Sequence, residues 1–550
     1  MSKLFKILQK QGFIKTIFHR LKKDNDFRKE LREFMKKNTK VKSKSHIILI
    51  WDMGGFSLIL KKNAILAKSL NVRGYKTHFI ICDGIPEACI QRGLEKNEKL
   101  GKWQKSCEKC LSAMKQVAKE YGINYSLAGK LINNQEKEKL KKLSEIINLE
   151  KIIKHRYLGV RVGELAWSST NRYLKGYLID LKKIKRSDKE IYRKYFYSAL
   201  VNTHIANRAI HKYKPISVLT SHGIYVDYSP PLSLAYLKSL NAISWSSGYA
   251  DFLHFFTIPK SIHKFQLRGI TNSEWQKRIK SPLTKKEDKR LDDFIHKRYF
   301  KIEARDIEFS SKPQEASFLK RKLGINNKNP IICLFSHINW DASLDLSTMI
   351  FNTANQWVIE SIKKMFKIKD VNWLIKYHPT EKKSGSLFTT DDLIKKEFPC
   401  IPEHIKIIWS DSNINTYSIY RLINAGITIF GTVGVELSLL GKPVITAGNA
   451  HYSNKGFTIE TKSKKEYFSI LENIKKIKPL TEKQIRLARQ YAYSYFIQRQ
   501  IPLNIMNKKQ GHWGDLDLGK LNQLLPGNDP VLDRICQSII GGNDVILDNE

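Results

Sequence analysis

This 550-residue sequence predicts an α/β protein of two doubly wound, Rossmann-like domains facing a cleft. The prediction rests on two series of apolar runs, each closed by a turn bearing glycine or histidine and followed by a helical pattern. Length agrees, because one hydrophobic core stops growing near ~250–300 residues and longer chains divide. With 42% hydrophobic and 11% aromatic residues the chain can fill two cores, which excludes a disordered polypeptide.

Residues 1–45 carry fifteen Lys/Arg against four Asp/Glu, with Leu4, Ile7, Leu8, Ile14, Ile17, Phe18 and Leu21 near helical spacing. They read as a basic amphipathic helical arm, suited either to capping the first domain or to docking on the anionic inner face of a membrane. Lys6, Lys10 and Lys15 break its apolar residues before a secretory signal can form, and no apolar run is long enough to span a bilayer. The expectation is a cytoplasmic protein, peripheral at the inner membrane face.

Residues 46–320 read as an N-terminal α/β domain. "HIILIWDMGG" is a buried strand ending in a turn, "LILKKNAILAKSLNVRG" a helix and "KTHFIIC" a second strand. Strands "ISVLTSHG" and "NAISWSSG" flank a helical "PLSLAYLKSL", and residues 91–210 are mostly helical. The polar segment "KIEARDIEFSSKPQEASFLKRKLGINNKNP" reads as the interdomain linker. Residues 321–480 repeat the α/β alternation through strands "PIICLFSH", "NWLIKYHP", "IKIIWS", "ITIFG" and "PVITAG", with helices "FNTANQWVIESIKKMF", "NTYSIYRLINA" and "VGVELSLLG" between them. Residues 481–550 open with "TEKQIRLARQYAYSYFIQRQIP", a long helix expected to cross back to the first domain, followed by a tail.

A formal net charge of +44 calls for an anionic partner, although heavy use of Lys, Ile and Asn throughout makes part of it compositional. Without zinc-finger spacing, an aromatic-basic RNP run or a basic zipper, the charge does not point to nucleic acid. The seven cysteines include Cys82, Cys89, Cys107 and Cys110 in under thirty residues. That group could clip one structural zinc, or serve as small buried apolar side chains.

In an open parallel sheet, ligands sit beyond the carboxyl ends of the strands. Three loops of the second series end there in polar residues: "FSHINWD" with Ser336, His337 and Asp341, "KYHPTE" with Lys376 and His378, and "GTVGVE" with Thr432, Gly434 and Glu436. Glycine permits close backbone approach, helix-opening amides suit phosphate, and a carboxylate can accept both hydroxyls of a ribose. Lys376 and His378 would meet the charge gathering on a leaving phosphate. The combination suits a nucleotide-sugar donor, CMP-, UDP- or GDP-linked.

"LFSHINWDAS", "LIKYHPTE", "SDSNINTYSIYRLINAGITIFGTVGVELSLLGKPVITAGNAHYSNKGFT" and, upstream, "SHGIYVDYSPPLSLAYLKSLNAISWSSGY" resemble the bacterial capsule and surface polysaccharide biosynthesis glycosyltransferases. These are GT-B enzymes related to the transferases of Kdo (3-deoxy-D-manno-octulosonic acid). The likeness covers most of residues 46–510 and is densest from 330 to 460. It implies a GT-B fold and transfer of a sugar, such as Kdo or a similar ulosonic acid from its CMP donor, to a polysaccharide or lipid-linked saccharide acceptor held on the first domain. It also implies that His378, Thr432 and Glu436 hold the nucleotide, with Lys376 standing where relatives often have Arg. Relatives commonly carry an acidic Asp-Gly motif in the first domain, where this chain has "SHGIYVDYSPP". The acid or base is therefore sought among Asp52 in "WDMGG", Glu164 in "VGELAWSSTNR" and Asp227. Two other enzyme classes share such sheets and phosphate turns, CDP-polyol phosphotransferases and nucleotide-sugar epimerases. A non-catalytic membrane-surface scaffold for polysaccharide assembly is the reading of another class, and the three polar loops count against it.

Overall fold

The computed structural model describes residues 25–39, 46–53, 55–91, 103–176, 185–248, 252–258, 269–301, 312–338, 340–342, 349–378, 381, 389–509 and 512–547. The expected arm at 1–45 therefore lies outside the described residues except for 25–39, of which 25–38 are helical. That helix packs on the first domain: Leu31 is buried and Phe27 meets Tyr121 edge-on, 5.3 Å between ring centroids.

Two six-stranded sheets form the molecule, as the alternation predicts. The first contains β1 (Ile47–Asp52), β2 (Lys76–Ile81), β3 (Tyr125–Leu127), β4 (Ser217–Ser221), β5 (Asn241–Ser247) and β6 (Leu253–Ile258), in the order β3-β2-β1-β4-β5-β6. All its pairs are parallel except β5 with β6. The second contains β7 (Ile331–Phe335), β8 (Asn372–Lys376), β9 (Ile405–Ile408), β10 (Ala425–Thr428), β11 (Val444–Thr446) and β12 (Ile459–Glu460), all parallel, in the order β12-β11-β10-β7-β8-β9. Each is the doubly wound order in which connections run opposite ways from the first strand, leaving a crevice between the first and fourth. The crevices lie beyond β1/β4 and β7/β10.

Both faces of each sheet are covered, so the strands are continuously apolar rather than alternating; β4 and β7 are buried at every position. On the first sheet, one face carries the helices Val162–Tyr173, Arg186–Tyr213 and Tyr225–Leu237. The other carries the helix Ser57–Val72 together with Ile501, Leu503, Ile535 and Ile539 from the far end of the chain. The domain boundaries thus fall elsewhere than composition suggests. Trp275 and Leu291 sit in the core of the second domain, so residues 269–301 belong there rather than to the first. A polar stretch was the visible cue for a linker, whereas the crossing is set by where these two side chains are buried.

The chain crosses back after the helix Glu482–Tyr493. Arg499, wholly buried, donates from Nη1 to the carbonyl of Gly269 at 2.9 Å and lies 3.9 Å from buried Asp544. Asp544 in turn accepts from the Thr271 amide at 2.7 Å. A short hairpin, β13 (Met506–Lys509) with β14 (His512–Leu516), and the helix Pro530–Gly541 complete the first domain. Among the described residues no helix is long and apolar enough to cross a membrane.

Candidate active site

On the second sheet, the loops after β7, β8 and β10 are tied to one another by their own side chains. Ser336 Oγ accepts from the His378 amide at 3.1 Å, joining the first two loops. His337 packs edge-on to Phe430, 4.5 Å between centroids, joining the third, and its Nε2 lies 3.4 Å from the carbonyl oxygen of Asp341. Burial, with His337 and Lys376 close by, pushes the His378 imidazole down to about 4. It is therefore neutral at pH 7, a hydrogen-bonding group and not a charge. Lys376 is 6% exposed, and burial lowers its pKa as well. Ser336, His337, Asp341, Lys376 and His378 form one cluster at the carboxyl ends of β7 and β8.

The β10 turn is built differently from its sequence-level reading. Thr432 precedes the short helix Val433–Leu439, and its hydroxyl makes no cap hydrogen bond. At Gly434 the space a Cβ would need is filled by Tyr452, whose hydroxyl donates to the Gly431 carbonyl at 2.8 Å. The close approach that requires glycine there is made by this ring. Glu436 is buried. Its Oε1 accepts from Arg298 Nε at 3.1 Å and lies 3.1 Å from Nη2 of the same guanidinium, and its Oε2 accepts from Tyr420 at 2.6 Å. A carboxylate offers roughly four lone-pair positions. Arg298 and Tyr420 hold one oxygen each and Tyr299 neighbours the same carboxylate, so it is engaged by the protein where the sequence suggested room for both ribose hydroxyls.

On the first sheet, Asp52 ends β1 and is 1% exposed. It accepts from Asn63 Nδ2 at 2.9 Å, and Asn63 Oδ1 accepts from Trp245 Nε1 at 2.8 Å. Burial raises the Asp52 carboxyl to about 7, against the lowering effect of Asn63. Asp227 is wholly buried and accepts from the Ile90 amide at 2.9 Å. Both acids neighbour Tyr228: burial first, and then the two carboxyls, keep its hydroxyl protonated. Glu164 stands apart from this pair. It lies in the first turn of the helix Val162–Tyr173, where it accepts from Arg161 Nη1 at 2.6 Å.

The turn after β4, the "SHGIYVDYSPP" segment with His222, Gly223 and Asp227, has a geometry the sequence reading did not foresee. His222, Gly223 and Tyr225 have φ of 58°, 68° and 62°, a left-handed cluster rare for residues with side chains. The helix that follows contains Pro230 and Pro231, which cannot donate to the carbonyls of Val226 and Asp227. Asn202 Nδ2 at 2.8 Å and Trp51 Nε1 at 2.6 Å donate to those two carbonyls instead. This substitution fixes the turn, with His222 half-buried at the β1/β4 crevice and its ring stacked on Tyr228 at 5.3 Å. The adjacent prolines and the "SHG" preceding them were the available signal.

The two domains touch through Trp340, Asp341 and Ala342. Arg172 Nη1 donates to Asp341 Oδ1 at 2.8 Å and to the Tyr225 hydroxyl at 3.0 Å, while Tyr225 donates to the same Asp341 oxygen at 2.9 Å. Arg172 and Lys175 lie over the Trp340 ring, and Ala342 is buried in the core of the first domain.

The zinc reading of Cys82, Cys89, Cys107 and Cys110 is corrected by the arrangement of these thiols. Among the described residues no group of three or more His, Cys, Asp or Glu is placed to hold a metal ion. Cys107 packs against Gly84 and Cys110 against Gly55, while Cys82 neighbours Cys89 and Cys110. Burial first, and then the neighbouring Cys89 thiol, raise the Cys82 thiol well above its usual range.

No protein-family model matches the chain, and no curated protein matches it. Solved structures similar to it include the beta Kdo 2,4 transferase KpsC of Thermosulfurimonas dismutans, at 12% identity, 56% of this chain, 87% of that one and a TM-score of 0.31. Sucrose-phosphate synthase from Thermosynechococcus elongatus is 9% identical over 82% of this chain and 95% of that one, with a TM-score of 0.32. A glycosyltransferase from Rickettsia africae ESF-5 is 13% identical over 84% and 95%, with a TM-score of 0.26. Function is read instead from the chain's own two crevices.

Proposed function

We propose that the protein is a glycosyltransferase that moves a sugar from a nucleotide-activated donor to a saccharide acceptor in the cleft between its sheets. The observation carrying this reading is the joining of three polar loops at the β7/β10 crevice through Ser336, His337, His378 and Phe430. The donor's nucleotide lies on that side, with the Thr432 hydroxyl available to it and Glu436 held beside it by Arg298 and Tyr420. Neutral His378 donates a hydrogen bond as charge gathers on the leaving phosphate, and Lys376 adds its field.

On the acceptor side, His222 takes the proton of the attacking hydroxyl. It is a half-buried titratable group at the β1/β4 crevice, whereas Asp52 and Asp227 are buried beneath it and position the turn. The sequence resemblance suggests Kdo or a similar ulosonic acid as the sugar, and a surface polysaccharide or its lipid-linked precursor as the acceptor. On the same reading the protein works at the inner membrane face, held there by its basic arm.

Incubation with CMP-, UDP-, GDP- and CDP-activated compounds tests the reading through nucleotide release. One sugar donor should be turned over, and His222→Ala should slow that turnover roughly 10²–10⁴-fold, the range of general-base catalysis, at unchanged donor affinity. Release only from CDP-polyols would make the protein a phosphotransferase. No release from any donor, by protein that is folded and supplied with saccharide acceptors, would remove transfer altogether.

A further inference from the structure

Beneath the contact between the domains lies a narrow recess, open to solvent at its mouth and enclosing only about 10 Å³, room for little more than a water, lined by Ser169, Arg172, Tyr173, Lys175, Tyr195 and Tyr225 among others. Its chemistry is unlike that of the donor crevice. Two cations, Arg172 and Lys175, share its lining with three tyrosines, Arg172 standing over the Tyr225 ring, a set of groups suited to an anion. In this structure a carboxylate already sits among them: Asp341 Oδ1, from the other domain, takes hydrogen bonds from both Arg172 and Tyr225. Trp340 beside it closes the recess, with Lys175 Nζ 4.6 Å from its ring centroid.

We propose that the mouth of this recess is an anion site for the acceptor: Arg172, Lys175 and Tyr225 bind the carboxylate or phosphate of a charged sugar whose ring stays outside in the cleft, and Asp341 holds the place when it is empty. Its assignment to the acceptor rests on the transferase reading; binding of an anionic sugar there does not. Arg172 Nη1 and Tyr225 serve Asp341 now, so an incoming anion competes with it. Displacing Asp341 also removes one of the polar bridges between the domains, the one at the mouth of this recess. Acceptor binding and loosening of the cleft are therefore one event.

Calorimetric titration of the full chain with glucuronate, glucose 6-phosphate and glucose tests this, with CMP and UMP titrated separately to report the donor side. At least one charged sugar should bind tighter than glucose, and the preference between the two identifies carboxylate or phosphate as the anion. Arg172→Met should weaken that binding roughly tenfold or more, and Asp341→Asn should tighten it by a similar factor, each change being the loss of a charged hydrogen-bond partner. Arg172→Lys, which keeps the charge, separates loss of the site from loss of the fold. Equal binding of all three sugars, or an Asp341→Asn variant no tighter than wild type, overturns the proposal. Failure of nucleotide binding with charged-sugar binding intact would count against the transferase reading alone.

Discussion

At Asp52, a carboxylic acid is enclosed between a strand end, Asn63 and the indole of Trp245, with 1% of its surface exposed. Its pKa stands at about 7 in the fold against an ordinary 3.8. The folded state keeps the proton over that interval while the unfolded chain releases it, so stability falls as pH rises from about 4 to 7 and levels off above. Asp52→Asn removes this titration and can still accept from Asn63. Between pH 5 and pH 7 the wild type should lose roughly 2–3 kcal/mol that the variant keeps. Urea unfolding at the two pH values measures it, and parallel profiles would show that Asp52 does not titrate there. At this scale the sequence conveyed residue type and loop position, which brought Ser336, His337 and His378 into view. It could not convey what fills the space around them: Tyr452 at Gly434, or Arg298 and Tyr420 at Glu436, come from distant positions with no periodic signal.

The helix Tyr225–Leu237 shows how an element can start where its own sequence forbids it. Sequence patterning begins this helix at Pro231, since proline suits a first turn. The structure begins it six residues earlier, because Asn202 and Trp51 replace the two amide donors the prolines lack. Asn202→Leu should therefore leave the Val226 carbonyl buried without its partner and destabilise the protein by about 1–3 kcal/mol. Adding Pro230→Ala restores a backbone N–H to that carbonyl and should recover part of the loss, so the two substitutions together cost less than their sum. Strict additivity in denaturant unfolding would refute the substitution of donors. Most other elements were legible, because covered parallel strands are apolar throughout and their helices amphipathic. β3 and β12 were not: at three and two residues they are set by pairing with neighbours rather than by pattern, while β6, apolar and buried throughout, is an antiparallel edge outside the parallel alternation.

Across the whole molecule, the net charge of +44 is concentrated in part on the N-terminal arm. The described helix at 25–38 is spoken for by its packing on the first domain through Leu31 and Phe27. The proposed membrane docking is thus left to residues 1–24, with seven Lys/Arg against one acid. At ~1 kcal/mol per basic residue near an anionic surface, these suffice for binding that salt weakens. Full-length protein should float with anionic but not neutral vesicles at low salt, and a chain lacking residues 1–24 should float much less. Equal flotation of the two would assign the binding to another surface.

The return of residues 501–547 to the first sheet also sets an order on the making of the protein. The strands β1–β6 leave the ribosome early, yet one face of their sheet is finished only by Ile535, Ile539 and Val545. At ~5–20 residues per second, an apolar sheet face waits on the order of 15–60 s for its cover. The second domain, continuous in sequence from Gly269 to Arg499, completes itself during that wait. The helix Pro530–Gly541 is thus the one that closes the first domain, and a nascent chain gains its cleft only after that helix has emerged.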